Sequence, residues 1–328
     1  MNADETLFMR MLRGERSPHT PFWEVWFAMP EFCRRHWGDY SLIENRIAMA
    51  KNLGMAAVRI DGVPTDVHFI DRRHVEGSSA YYGGGLLTSR EQLAQRPLPD
   101  WTAEIPKWKR EIELVHKAGL ACWMVLPWCF HAVATSMGLA QFALRCYDDP
   151  DFVQEAMAWV EERNRAAIDQ VIAQVRPDLV LFDGDCAYKT GTMVSPQMLR
   201  ELTYEQTALT VAKLRALDIP YAFHSDGKAD GFLPMIIELG FSAFHGCEKA
   251  ANDLGHLVEA YGDDIVLVGN MDVVFLSQAT PEQVREETRR MLEIGSAKGR
   301  FMGACNTSPQ DYIPEENYFA MAEVIREF

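Results

Sequence analysis

Leu179-Val180-Leu181-Phe182, Tyr221-Ala222-Phe223-His224, Ala243-Phe244-His245, Ile265-Val266-Leu267-Val268-Gly269 and Phe301-Met302 are five short apolar runs separated by longer amphipathic stretches. The intervening patterns predict helices over Pro196–Leu217, Gly231–Leu239, Asn252–Tyr261 and Thr280–Ile294, with a closing helix over Pro314–Phe328. Continuous apolar strands alternating with helices describe a parallel sheet covered on both faces. The same alternation extends toward the N-terminus. A helix over Ser41–Leu53 precedes a strand Ala56–Asp61, and a helix over Lys107–Ala118 precedes a strand Leu120–Leu126. Two further helices follow, at Phe142–Leu144 and Asp151–Gln174. One more strand is expected in the N-terminal third, which brings the count to about eight, and no linker interrupts the series. The expected fold is therefore α/β, a single (β/α)8 TIM barrel over residues 1–328 with an N-terminal extension. An open doubly wound sheet is disfavoured, because no GxGxxG follows the first strand, and no GxxxxGK[ST] phosphate loop is present. Glu5–Gly14 reads as a small helix and Val67–Gly85 as a hairpin excursion. The aromatic run Phe22-Trp23-Glu24-Val25-Trp26-Phe27 reads as a lid on the core or, alternatively, one wall of a substrate pocket.

The 328 residues are 48% hydrophobic and 24% charged, the balance of a globular chain and not of a disordered one. Lys and Arg number 32 against 47 Asp and Glu, a net charge of −15. A surface of that sign repels both a phosphate backbone and an anionic bilayer, so neither a nucleic acid nor a membrane is expected as a partner. The first residues lack a basic end followed by an uninterrupted apolar core, and so do not read as a signal peptide. Leu120–Val133, the longest apolar stretch, is too short to span a bilayer. The seven cysteines are widely spaced without a CxxC pair, which argues against a disulfide framework and for a cytoplasmic setting. Either a monomer or a homodimer is compatible with the sequence.

In a barrel the chemistry is carried just past the C-terminal ends of the strands. The predicted strands deliver there Asp61; Asp183, Asp185 and Cys186; His224, Ser225 and Asp226; His245, Cys247 and Glu248; Asn270 and Asp272; and Cys305 with Asn306. His224, Asp226, Cys247, Glu248 and Cys305 supply the imidazole, carboxylate and thiolate donors that zinc accepts. Asp183 and Asp185 fit an acid/base element, a support for a ligating histidine, or a grip on a polar substrate. His245 reads equally as a loop residue held by hydrogen bonds, and Cys247 as a small buried hydrophobe. Trp123, Trp128 and Phe130 read as core, with Trp128 or His131 as the alternative pocket wall.

Set in order, several pieces resemble the uroporphyrinogen decarboxylase superfamily, which also contains cobalamin-dependent methyltransferases. They are Pro21-Phe22-Trp23, Asp149-Pro150, Phe182-Asp183-Gly184-Asp185 with Ser195-Pro196, and Pro220 through Gly227. Gly269-Asn270-Met271-Asp272 with Thr280-Pro281-Glu282-Gln283-Val284, and the turn before Glu315-Glu316-Asn317, complete the set. The resemblance covers nearly the whole chain and implies a (β/α)8 barrel. The porphyrinogen decarboxylases carry an arginine-rich segment, of the form Met-Arg-Gln-Ala-Gly-Arg, that grips substrate carboxylates. The corresponding Glu24–Pro30 contains no arginine, so uroporphyrinogen is not the expected substrate.

The methyltransferase branch implies a zinc site from a His-x-Cys pair and a distal cysteine. These positions fall on His224, on Asp226 in place of the family's cysteine, and on Cys305, with Glu248 as a further polar residue near the metal. Such a set is harder than one with two thiolates. The implied activity is transfer of a methyl group between a small methoxy, methylamine or related compound and a corrinoid held on a separate protein. Asp183 and Asp185 would orient the substrate or a ligand histidine. Trp23, Trp26 and Phe27 would close the pocket, their rings offering a place for a quaternary amine, and Asn270 joins Trp23 and Trp26 as a candidate cofactor contact. The alternative is a metal-free, decarboxylase-like lyase on a small acid, using Asp61 or Asp183 to stabilise a protonated intermediate. A non-enzymatic assembly subunit of a methyl-transfer complex is the third reading.

Overall fold

A computed structural model of the chain describes residues 6–73 and 81–328. Its strands are β1 (Ala57–Arg59), β2 (Ile70–Arg73), β3 (Tyr81–Gly85), β4 (Ala121–Pro127), β5 (Leu179–Asp183), β6 (Ala187–Tyr188), β7 (Gly191–Thr192), β8 (Tyr221–His224), β9 (Ala243–His245), β10 (Val266–Met271) and β11 (Phe301–Cys305). Seven of them form one curled sheet in the order β1-β4-β5-β8-β9-β10-β11. Every pairing within it is parallel. Helices return the chain between successive strands, as parallel pairing requires.

The eighth stave is the aromatic run near the N-terminus. Phe22 bridges in parallel to Met55, just before β1, and to Gly303 in β11, and so joins the two edges of the sheet. Its backbone bonds reach both neighbours: Trp23 N donates to the Gly303 carbonyl and Gly303 N to that of Pro21, while Ala56 N donates to Phe22. The run therefore closes the barrel, where a lid or a pocket wall was expected. Its alternation shows why. Trp23 and Val25 pack with the interior cluster, whereas Phe22 packs with the outer one.

The barrel is filled, not hollow. Trp23, Trp123, Leu181, Val268 and Met302 are fully buried inside it, with small residues such as Ala57, Ala121 and Ala222 between the large ones. The helix Leu7–Leu12 contributes Phe8, Met9, Met11 and Leu12 to the same interior cluster. Phe8 meets Trp23 edge-on at 5.2 Å. Together with the strand starts Met55, Ala56 and Leu120, this helix lines a 530 Å³ cavity, which places it at the N-terminal end of the barrel. The opposite end is left for chemistry.

Local signals set the helix starts. Asp149 and Ser195 accept backbone hydrogen bonds ahead of Pro150 and Pro196, and Thr280 with Gln283 forms a capping box before Pro281. The excursion expected at Val67–Gly85 is the antiparallel pair β2–β3, of which residues 74–80 lie outside the described residues. Among the described residues no helix is long and apolar enough to cross a membrane. All seven cysteines are free thiols.

Candidate metal and substrate site at the barrel mouth

Side chains alternate along a strand, so every second residue of each barrel strand points inward. In β8 the inward residues are Ala222 and His224, and in β9 they are Ala243 and His245. His224 pairs in register with Asp183 of β5 on one side and with His245 on the other. Three polar groups thus arrive at one level of the mouth because three strands end there.

The two histidines fix one another. His245 is fully buried, and burial holds it well below the ordinary imidazole range, so it is neutral. Its Nε2 lies 3.2 Å from the Cys305 carbonyl, which can only accept, and therefore carries the proton. Its Nδ1 is then a lone pair, and the Nδ1–Nδ1 contact of 2.8 Å requires a proton on Nδ1 of His224. With that proton on Nδ1, the neutral tautomer of His224 is the one whose lone pair is on Nε2, and Nε2 is turned toward Asp185, whose Oδ1 is 3.8 Å away.

Past β8 the turn His224-Ser225-Asp226-Gly227 is held from both sides. Asp226 N donates to Asp185 Oδ1 at 2.9 Å, and Gly227 N to Glu248 Oε2 at 3.1 Å. Asn252 donates to the Gly227 carbonyl and accepts from Ala229 N. Gly227 has φ +89°, and a Cβ there would lie 2.6 Å from the Ala187 backbone, so this position of the turn is restricted to glycine.

Asp185, His224 and Asp226 each present a ligand atom within 4.8 Å of the others. Asp226 Oδ1 is buried and has no hydrogen-bond partner. Burial, with the nearby carboxylates of Asp185, Glu248 and Asp183, pushes Asp226 up to about 6, against the pull of His224. A lone-pair nitrogen, an orphaned carboxylate oxygen and a second carboxylate converging in this way fit a divalent cation. One other cluster, His116, Cys122 and Asp178, meets the same distance criterion among the described residues. It belongs to the opposite end of the barrel, where Asp178 accepts from Cys122 N at the start of β4.

The structure does not bring Cys305 into this cluster. Within β11, Met302 and Ala304 point inward, so Phe301 and Cys305 face the helices. The Cys305 thiol is buried against Glu24, whose other oxygen accepts from Tyr318 at 3.0 Å. Glu248 approaches through Gly227 N and, at 3.8 Å, Lys189, beside the cluster and not within it. Asn270, buried at the end of β10, donates to the Cys247 carbonyl. Asp61 sits half-exposed with Lys107 at 3.0 Å and Arg46 at 3.4 Å, which hold its carboxyl below the usual range despite partial burial. Asp183 faces the mouth beside His224, its carbonyl accepting from Trp128 N. Trp128 itself is core, donating to Thr207.

Of the three N-terminal rings, only Trp26 reaches the mouth. Trp23 is in the barrel interior, and Phe27 packs among Tyr40, Tyr318 and Phe32 on the outside of the barrel wall. The Trp26 ring stands edge-on to His224 at 5.4 Å and to Trp123 at 6.0 Å. A further neighbour is Arg59, whose guanidinium lies 4.9 Å from the Trp26 ring and 5.7 Å from that of Trp123. A quaternary amine on these rings would therefore meet a resident cation. Arg59 and His245 are the mouth residues that reading the sequence passed over or left undecided. The available signal was an ionisable side chain at an inward position of a buried strand, where only paired or functional charges persist.

The model of the family described as uroporphyrinogen decarboxylase (URO-D) matches residues 105–328. Among solved structures, a methyltransferase from Methanosarcina mazei superposes with a TM-score of 0.79 at 15% identity, covering 100% of this chain and 99% of that one. A GH27 β-L-arabinopyranosidase from Geobacillus stearothermophilus gives a TM-score of 0.51 at 12% identity, with 96% and 78% covered. At such identities the likeness is one of fold. No curated protein matches the sequence.

Proposed function

The chain belongs to the uroporphyrinogen decarboxylase family, and we propose that within it the protein is a methyltransferase moving a methyl group between a small compound and a corrinoid on a partner protein. The observation that carries this reading is the convergence of Asp185, His224 and Asp226 at the mouth, with Asp226 Oδ1 buried and unpartnered. The overall likeness to a methyltransferase along the full length of both chains supports it. Asp185, His224 and Asp226 would hold a zinc-class divalent cation, which when bound supplies Lewis-acid polarisation of the heteroatom that bears or receives the methyl group. The corrinoid supplies the cobalt chemistry, and the protein supplies placement.

The residues of the chain have distinct tasks in this scheme. His245 keeps the proton of His224 on Nδ1, so that Nε2 stays a lone pair. Asp185 braces the backbone of Asp226, and Glu248 and Asn252 brace that of Gly227, which sets the direction of both ligand side chains. Trp26 walls the mouth beside His224 and excludes water from that side. Asp183, at the same level as His224, is placed to orient a polar substrate. The metal-free lyase reading would rest on Asp183, because Asp61 is engaged by Arg46 and Lys107.

The test is elemental analysis of protein purified without chelator or affinity-tag metal, beside His224→Ala. About one equivalent of zinc per chain in the parent protein and none in the variant is the expected result. It is followed by an assay for methylation of cob(I)alamin from methoxy and methylamine compounds. Metal-free protein in both cases, even after zinc is resupplied, overturns the metal-centred reading.

A further inference from the structure

We propose that Arg59 is a subsite for an anionic group, a carboxylate, on the small substrate, so that the methyl compound handled here is a methylated acid and not a methylammonium. The inference rests on the methyl-transfer reading for the other end of that substrate. Arg59 is the last residue of β1, two residues on from the inward-facing Ala57, and its guanidinium sits against Trp26 and Trp123 in the mouth. It is half-buried, yet no carboxylate, carbonyl or hydroxyl of the described residues accepts a hydrogen bond from it. The nearest candidate on its own segment, Asp61, is turned to Lys107 and Arg46. Arg46 in turn donates to the Arg59 carbonyl and fixes the backbone from which the side chain projects.

A guanidinium offers five N–H donors in a planar fork, and two indole rings, at 77° to one another, lie against this one at 4.9 and 5.7 Å. The rings accept no N–H hydrogen bond in the plane of the fork, and with no acceptor among the described residues its donors are open to a planar one. A carboxylate matches that edge bidentately. The Trp26 ring touches both Arg59 and His224, so the two subsites are separated by one side chain's width. A compound with a carboxylate and a methylated heteroatom a few bonds apart spans them. This arginine lies on the first regular strand of the barrel, well past Glu24–Pro30, where the decarboxylases carry their arginines.

The experiment is isothermal titration of the purified full chain, without corrinoid, using three probes of one size class: methoxyacetate, 2-methoxyacetamide and tetramethylammonium. Wild-type protein is expected to bind methoxyacetate about tenfold or more tighter than the isosteric amide, the scale of a hydrogen-bonded charge pair. Tetramethylammonium should not bind. Arg59→Gln should bring acid and amide together, and Arg59→Lys should keep part of the preference. Thermal unfolding of both variants checks the fold, and the wild-type comparison stands without either. Equal binding of acid and amide, an unchanged preference in Arg59→Gln, or no saturable binding of methoxyacetate overturns the proposal. A preference for the acid in a protein that never methylates cob(I)alamin sinks the methyl-transfer reading alone. Methyl transfer from acid and amide at equal KM sinks the Arg59 subsite alone.

Discussion

Glu24 offers a quantitative check on how the barrel is closed. It is fully buried outside the closing stave, accepting from Cys305 N at 3.2 Å and from the Tyr318 hydroxyl at 3.0 Å. Burial raises it from 4.5 to about 7, and the hydrogen bonds from Cys305 and Tyr318 offset only part of that rise. A carboxyl whose folded-state value lies above its unfolded one binds more protons when folded. Its contribution is fully present below pH 4.5 and is lost as pH rises through 7. Integrating that linkage between pH 5 and pH 8 gives a loss of about 2.5 kcal/mol of unfolding free energy from this one group. Glu24→Gln keeps the shape and an acceptor for Cys305 N but cannot ionise. Urea unfolding of both proteins at pH 5 and pH 8 isolates the effect, because every other titrating group is common to both. The fall in stability should be about 2.5 kcal/mol smaller in the variant. Equal pH dependence in the two proteins would mean that Glu24 is solvated, and that the contact of the closing stave with Cys305 and Tyr318 is not as described.

Cys305→Ala should retain metal at the wild-type level while Asp226→Asn loses it, read by elemental analysis; metal loss in the cysteine variant would return the thiol to the site. His245→Phe removes the acceptor that holds the proton of His224 on Nδ1, and should weaken zinc binding about 10- to 100-fold in a chelator competition. Unchanged affinity would show that the His224 tautomer is set by something other than His245. Trp23→Ala empties the barrel interior between Phe8 and Trp123 and should cost about 3–5 kcal/mol of unfolding free energy. A loss below about 1 kcal/mol, well under the range for such truncations, would place Trp23 on a surface instead.

Where an element was a continuous apolar run, it was legible. Leu179–Phe182, Tyr221–His224 and Ala243–His245 are strands with nearly those limits. The hairpin after β1 was legible from its glycines. The closing stave was visible only as an aromatic run, since its pairing to both sheet edges rests on one bridging residue; its inward-outward alternation is the one sign of the stave. The placement of Cys305 outside the cluster has a similar origin. Phe301-Met302 marks the strand, but β11 continues to Cys305, and the facing of that thiol depends on counting by twos from a residue known to point inward. Asp185, His224 and Asp226 were legible because they stand just past strand ends. The addition of Asp185 to the pair His224 and Asp226 was not, because it needs the lateral order β5-β8-β9 and a turn braced from Glu248 and Asn252. Arg59 was hidden by its neighbourhood, where Ala57-Val58-Arg59-Ile60 scans as an ordinary buried strand.

Under the proposed function, aspartate at position 226, where the family resemblance implies a cysteine, and the presence of Arg59 bear on the same choice. A donor set of one imidazole and two carboxylates is harder than one with thiolates, and leaves a bound cation more electron-poor. Such a centre polarises an ether or alkoxide oxygen more strongly, and raises the nucleophilicity of a coordinated thiol less. The proposed Arg59 subsite, on the other side of Trp26, would independently disfavour a cationic substrate and favour an acid. Oxygen-borne methyl groups on small carboxylates satisfy both conditions, whereas methylamines fail the second and thiols gain least from the first. The two features lie in different parts of the barrel and act through different physics, yet under the proposed function both would narrow the substrate in one direction.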